Sequence, residues 1–487
     1  MAQRFSDHVR AHLTLGLPLI GSHVAQMAIG VTDTVMLGWY DVEALAALVL
    51  ANTAYMALFL FGSGFAFAVM PLVSSAAEQG DETRVRRVTR MGLWISLGFA
   101  LAVLPVLWFS APILLALGQD PELSQGAQDY LRIMGWGVIP ALSVMVLKSY
   151  LSALERTKVQ LAVTLAAALA NVVVNYALIF GNWGFPELGI RGAAIASLVV
   201  QAVSVAALAA YAIRQFPSHR LFQRVWRPDW EALREVTAMG WQIGLTVLAE
   251  VGMFTLSSIL IGLLGTVALA SHGIALQLAS ISFMVPLGLS NAATVRAGRA
   301  VGRADASGLR AGARAAFALG VGWAVLAAVL FVLLPEFLVS LYIDPDEPLR
   351  DEIVALGRAL LLMAALFQLA DATQVNALAL LRGMHDTRAP MWMAAGSYWL
   401  IGAPAAWALG LPLGFGAVGV WAGLVLGLSA AAVPLSASFR RRTSRLGATA
   451  SARPGGRLGA RSPRPRHRGE PPAGQRTTGV LSVAPQP

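Results

Sequence analysis

"GLTVLAEVGMFTLSSILIG", residues 244–262, is apolar apart from glycines, two serines, two threonines and one carboxylate, Glu250. As an α-helix rising about 1.5 Å per residue, such a stretch matches a bilayer core of about 30 Å. A charge near the centre of a span costs about 2.5–3.5 kcal/mol on the insertion scale. The stretch therefore decides the environment and marks Glu250 as a residue to be explained.

Runs of this kind recur along the 487 residues, of which 57% are hydrophobic and only 13% charged. The mean hydropathy is +0.65, and soluble domains carry about 25% charged residues. The runs are continuous rather than alternating, which selects helices over a transmembrane barrel. The fold class expected is an all-α polytopic membrane protein. Its twelve spans lie near 14–40, 45–76, 91–117, 127–152, 159–180, 190–213, 237–263, 268–294, 311–338, 352–380, 389–409 and 415–438. There is no cysteine, so disulfides and thiolate metal sites are excluded. The net charge of +10 belongs to the C-terminal segment, because residues 440–487 hold 11 Arg and one Glu. That segment, rich in Pro, Gly, Ser and Arg, reads as a disordered tail over 439–487 rather than a nucleic-acid-binding face. Lysine occurs only at Lys148 and Lys158 against 34 Arg, a usage that fits a GC-rich bacterial coding sequence.

Loop charge alternates. "EQGDETRVRRVTR" and "RAGRAVGRADASGLRAGAR" are Arg-rich, whereas "GQDPELSQGAQD" and "YIDPDEP" are acidic. The positive-inside rule then puts both termini in the cytoplasm of a bacterial inner membrane protein. No cleavable-signal pattern precedes the first span, so that span is expected to be its own insertion signal.

The chain repeats itself. A shift of 224 brings Gly16 onto Gly240, Gly38 onto Gly262, Gly64 onto Gly288 and Asp81 onto Asp305; at 226 Arg156 meets Arg382, and at 227 "LGIRGAAIA" meets "FGAVGVWAG". Each half carries six spans, so two parallel six-helix lobes with a pseudo-two-fold along the membrane normal are expected. The boundaries are 1–213 and 237–438, joined by a basic linker over 214–236.

Four polar clusters lie inside apolar spans. Gln26 and Asp33 share a face of the first; Asn171 and Asn175 share a face of the fifth. Glu250 lies with Ser257 in the seventh, and Asp371 lies one turn from Gln374 in the tenth. Gln277 in the eighth is a further supporting polar candidate. Such acids usually mark ion or proton pathways, although each also reads as an inter-helix hydrogen bond. His23 and His272 have no His or Cys at ligand spacing and read as packing residues. No phosphate loop, H-E-x-x-H or G-x-S-x-G motif is present, so an ATP-driven pump and an intramembrane hydrolase lack motif support.

"GVTDTVMLG", "GLTVLAEV…IGLLGTVALASHGIAL", "PLGLSNAATVRAGRAVG" and "DATQVNALALLRGMHDT" resemble the multidrug and toxic compound extrusion (MATE) family over about residues 10–437. The pairing of Glu250 with Asp371 resembles its NorM-type branch. The resemblance implies two six-helix lobes around a central cavity and efflux of cationic amphipathic compounds in exchange for Na⁺ or H⁺. It implies that Glu250 and Asp371 bind the coupling cation, including Na⁺ as a bound metal if sodium drives the cycle. Asp33, with Asn171 and Asn175 beside it, is implied in proton or substrate handling. The family pattern has a second polar residue near 378, where this chain has Leu378, and the basic extension lies outside the pattern. The expected partners are small organic cations, the coupling cation and membrane lipids, with no cofactor, no nucleic acid and a monomeric state. The rival readings are a flippase for lipid-linked precursors, whose phosphate cargo favours a basic cavity, and a non-transporting receptor or scaffold; an enzyme ranks third. The intramembrane charges legible in the spans are acidic, which disfavours the flippase.

Overall fold

The computed structural model describes residues 4–451. The long helices run α1 Phe5–Tyr40, α2 Val42–Glu78, α3 Glu82–Trp108, α4 Pro121–Ala153, α5 Thr157–Ile179 and α6 Gly189–Gln215. They continue as α7 Trp230–Gly262, α8 Thr266–Gly302, α9 Ala306–Leu333 and α10 Arg350–Gly383. α11 is broken into Arg388–Gly396, a π-helical turn Ser397–Gly402, and Ala403–Gly410; α12 is Gly416–Ser451. Eleven single helices are long and apolar enough to cross a membrane, and the interrupted α11 occupies the twelfth expected span. There is no strand among the described residues.

Aspartates start many of these helices. The side chains of Asp41, Asp81, Asp229 and Asp305 each accept from the backbone N–H three residues on, which satisfies a donor the first turn leaves open. Asp81 and Asp305 are one repeat apart, and each follows a left-handed residue, Gly80 or Ala304. α2 and α8 begin and end 224 residues apart. Further on, the left-handed residues Glu155 and His385 mark equivalent turns 230 apart. Arg156 therefore pairs with Asp386, not with Arg382 as the 226 shift has it. The cause is a longer connection before α10 (334–349) than before α4 (109–120).

Two further expectations shift. The linker proper is shorter than 214–236, because α6 reaches Gln215 and α7 starts at Trp230. α12 continues past 438, because Phe439 and Thr443 extend its buried face and Arg442 pairs with Asp386 at 2.6 Å. Of the tail expected over 439–487, the part 452–487 lies outside the described residues.

The halves meet in exchanged pairs: α2 packs on α7 while α8 packs on α1, and α3 packs on α7 while α9 packs on α1. Glycine sets how closely they approach. A Cβ on Gly64 would land on the backbone of Gly240 and Gly244, and a Cβ on Gly288 would land on the backbone of Ile20. These contacts are one repeat apart on both sides, which explains the Gly16/Gly240 and Gly64/Gly288 matches in physical terms.

Every ion pair between the halves lies on the side carrying the N-terminus and the linker, among the described residues. Arg84 pairs with Glu235 (2.7 Å), Arg87 with Asp229 and Glu231, Arg303 with Glu78 (2.7 Å), and Arg299 with Glu78 and Glu155. The Arg87 guanidinium holds the Asp229 carboxyl below its usual range. Because the folded value is depressed, this pair contributes above an ordinary aspartate value of about 4 and fades as pH falls through the lower folded value. Both partners are partly exposed, so the contribution is below about 1 kcal/mol.

Two outcomes follow for purified protein. Gly64→Ala should destabilise by about 1–3 kcal/mol, since backbone cannot move aside, and should lower the melting temperature, whereas Gly98→Ala, which meets open space, should not. Arg87→Gln should flatten the decline of melting temperature as pH falls below about 4; an unaltered decline would show that Asp229 is not its source.

Candidate functional site

In the first half, α1 presents Asp33, 8% exposed, to α5 and α6. Asn171 Nδ2 (3.1 Å) and Asn175 Nδ2 (2.6 Å) donate to Asp33 Oδ1, and Ser197 Oγ donates to Oδ2 (3.1 Å). The spacing of four that puts both asparagines on one helix face is what lets them share one oxygen. No cation forms an ion pair with this carboxylate among the described residues. Asp33 lines a cavity of about 310 Å³ whose walls include Tyr55, Met56, Phe59 and Met134. Gln26 lines the same cavity, where its Oε1 accepts from Lys148 Nζ at 3.4 Å.

In the second half, Glu250 of α7 and Asp371 of α10 are electrostatic neighbours inside the helix bundle. Gln374 lies beside Glu250 but outside hydrogen-bonding geometry. Asp371 Oδ1, both polar atoms of Gln374 and Tyr398 Oη are buried without a hydrogen-bond partner. Arg382, three turns beyond Asp371 on the same face of α10, acts on Glu250 without forming an ion pair. Two acids, an amide and a phenol thus converge with free oxygen acceptors, a donor set suited to a small hard cation.

The supporting candidates divide. Gln26 and Gln374 join polar clusters. Ser257 does not, because its hydroxyl donates to Met253 O one turn back on its own helix. Gln277 is half-buried on α8 and makes no hydrogen bond to the acids. His272 is held at both ring nitrogens, accepting from Trp421 Nε1 at Nδ1 and meeting Ser258 Oγ at Nε2, and His23 meets Asn291 across the seam. Both are packing residues. Leu378 sits in the apolar core of the second half.

Residues 18–177 and 243–408 match a sequence model described as MatE. This chain belongs to the MatE family. It is 48% identical over 447 residues to a probable multidrug resistance protein NorM of Rhizobium meliloti strain 1021, spanning 91% of this chain and 96% of that protein. A protein of the same description from Agrobacterium fabrum strain C58 is 45% identical over 435 residues, 89% of this chain and 94% of its own length. The crystal structure of MATE in complex with MaL6 superposes with a TM-score of 0.82 at 19% identity, over 91% of this chain and 97% of that one. The MatE fold expected from the motifs is therefore the fold observed.

Within this MatE chain, four polar contributors are not among the residues picked from sequence. Ser197 and Tyr398 are ordinary helix residues until their partners are known. Lys148 falls within the fourth span, and Arg382 reads as loop because "LRGMHDT" resembles the other Arg-rich connections. Both are drawn inside the protein, so the intramembrane charge is not purely acidic. Tyr398 is set by the π-helical turn, whose next residue, Trp399, donates to Ala249 O beside Glu250. Turns of this kind frequently occur at functional sites.

Asn175→Leu removes the shortest donor to Asp33 and should destabilise the protein by about 1–3 kcal/mol, because a buried acceptor loses its partner. Added to Asp33→Leu, the same change should be milder. A double-mutant cycle on melting temperature that returned purely additive effects would contradict the coupling.

Proposed function

We propose that this protein is a secondary multidrug efflux transporter and not an enzyme, exporting cationic amphipathic compounds in exchange for Na⁺ or H⁺ by alternating access. The reading places it in the bacterial inner membrane as a monomer with both termini in the cytoplasm. The observation that carries it is the pairing of half-buried Glu250 with buried Asp371, whose Oδ1 has no hydrogen-bond partner. Two such carboxylates without an ion-paired cation form a high-field site, and Na⁺ or H⁺ bound there supplies the missing positive charge. The same gain is available only in the helix arrangement that brings the two acids together, which ties ion binding to conformation. One charge moved through 100 mV supplies about 2.3 kcal/mol, a gradient of roughly 50-fold, so one coupled ion per cycle suffices.

Asp33 gives the first-half cavity its negative end. Its Met and aromatic walls suit varied flat cations, since such surfaces re-pack around different ligands. The confinement of interhalf ion pairs to the linker side supports alternation between two closed ends. Closing one end requires the halves to rock about the glycine crossings while the other end parts. The relatives' description as multidrug resistance proteins accords with this reading. A flippase for phosphate-bearing lipids is less well matched, because the one lysine of the cavity is offset by Asp33.

Glu250→Gln and Asp371→Asn should each abolish Na⁺- or H⁺-driven ethidium efflux in proteoliposomes while the protein still inserts. Wild-type rates in both variants would remove the acids from the coupling step. Imposing each ion gradient alone identifies the driving ion. Asp33→Asn should weaken cationic substrates more than neutral ones, and equal loss for both would exclude a direct charge role.

A further inference from the structure

In the first half, α3 and α6 both pack on α4, and the linker lies over the gap between them. Leu221 is buried there, in one apolar cluster with Val88 of α3, Leu147 of α4 and Leu208 of α6. Arg90 Nη1 donates to Arg224 O (2.7 Å) and Trp94 Nε1 donates to Val225 O (2.7 Å). His219 Nδ1 lies 2.6 Å from Tyr150 Oη of α4. Arg90 is thereby 9% exposed and has a carbonyl partner.

The second half has a matching groove that no described segment covers. α9 and α12 both pack on α10. Helices α3 and α9 start 224 residues apart, so Arg86 and Arg90 correspond to Arg310 and Arg314. These two share a face of α9 and, with Arg440 of α12, line a groove of about 600 Å³ in which no carboxylate takes part. All three arginines are exposed. Arg310 Nε donates to Ala306 O of its own helix (3.2 Å). The guanidinium groups of Arg314 and Arg440 make no hydrogen bond or ion pair among the described residues. Ser436 Oγ, on the same wall, is buried without a partner. Arg314 lies eight residues into α9, about 12 Å along its axis and within an expected span. A guanidinium that faces lipid at that depth is costly unless an anion meets it.

We propose that this groove binds an anionic phospholipid, with the three guanidinium groups around its phosphate and Phe317, three residues beyond Arg314, against its acyl chains. Basic pockets between membrane helices suit such headgroups. The lipid then joins α9 to α12 as the linker joins α3 to α6. Charge selects among occupants. A headgroup that carries an ammonium finds no carboxylate to pair with it, which favours phosphatidylglycerol over phosphatidylcholine. The chain beyond α12 is a poor occupant, since residues 452–487 hold seven Arg and one Glu. The site is separate from Glu250 and Asp371 and does not depend on ion coupling there.

Full-length protein in detergent micelles is titrated with phosphatidylglycerol and, separately, with phosphatidylcholine, and each Kd is read by native mass spectrometry. Wild-type protein should hold phosphatidylglycerol at least about tenfold more tightly. Arg314→Gln should weaken that binding about fivefold, and Arg310→Gln, Arg314→Gln and Arg440→Gln together about a hundredfold; phosphatidylcholine should be unaffected. Arg214→Gln, Arg220→Gln and Arg227→Gln together remove the same charge from exposed positions on the same side and should leave both Kd values unchanged. Equal loss in that control would reduce the effect to diffuse surface charge and overturn the site. So would a wild-type protein that prefers neither lipid, or a loss in the first triple variant common to both lipids, as misfolding would give. Glycerol 1-phosphate, the headgroup phosphate without chains, should bind far more weakly than the lipid. Comparable affinity would make the groove a site for soluble phosphate and overturn the lipid assignment.

Discussion

Everything in this molecule depends on two helix crossings in which no side chain separates the backbones. Gly64 lies against Gly240 and Gly244, and Gly288 lies against Ile20. In a bilayer the hydrophobic effect does not draw helices together, so close packing of small residues must do so. At these crossings the halves approach as near as backbones allow. The ion pairs on the linker side form where the crossings bring α3 near α7 and the end of α2 near the end of α8. The opening stretch contributes directly: Gly244 makes one crossing, and six residues later the same helix presents Glu250.

Around that seam the two halves have diverged in chemistry while keeping one scaffold. The first half encloses a cavity with Asp33 and Lys148 on its wall. The second fills its interior with Phe254, Phe367 and Trp421, packed edge to face, and holds Glu250 and Asp371 beside Tyr398. Buried polar groups are tolerable when partnered and costly when not. The first-half acid has three protein donors, whereas Asp371 of the second half leaves Oδ1 without one. That contrast separates a carboxylate satisfied by its own protein from one that is not.

Much of this is legible in the sequence, for identifiable reasons. Spans are legible because a helix crossing lipid needs about twenty apolar residues; most observed helices hold the expected span, but 91–117 and 311–338 overrun α3 and α9, which end at Trp108 and Leu333 before the short helices Ser110–Ala116 and Pro335–Ser340. Asp33 with Asn171 and Asn175 is legible because helical periodicity fixes which residues share a face. Periodicity does not say which face turns inward, and so Ser257 looks equivalent to Ser258, although only Ser258 reaches His272. Arg382 is illegible because nothing local marks an arginine near a span end as buried. The break in α11 is illegible too. "GSYWLIG" becomes a π-helical turn where Gly402 is pressed against Gly427 of α12, a contact between residues far apart in the chain. The Arg156–Arg382 register fails because a longer connection in the second half displaces everything after it.

The arginine–carboxylate pairs on the linker side have a consequence of another kind. Their side chains are between 20% and 84% exposed, so water reaches them, while Gly64, Gly240, Gly244 and Gly288 are buried between helices. Charges in water are screened over about 8 Å at 0.15 M ionic strength and about 3 Å at 1 M. The crossings feel none of this. The ion pairs on that side therefore answer to the salt content of the solution they face, whereas the close packing of the crossings does not. The contact between the halves is thus divided into a part that salt can loosen and a part that it cannot.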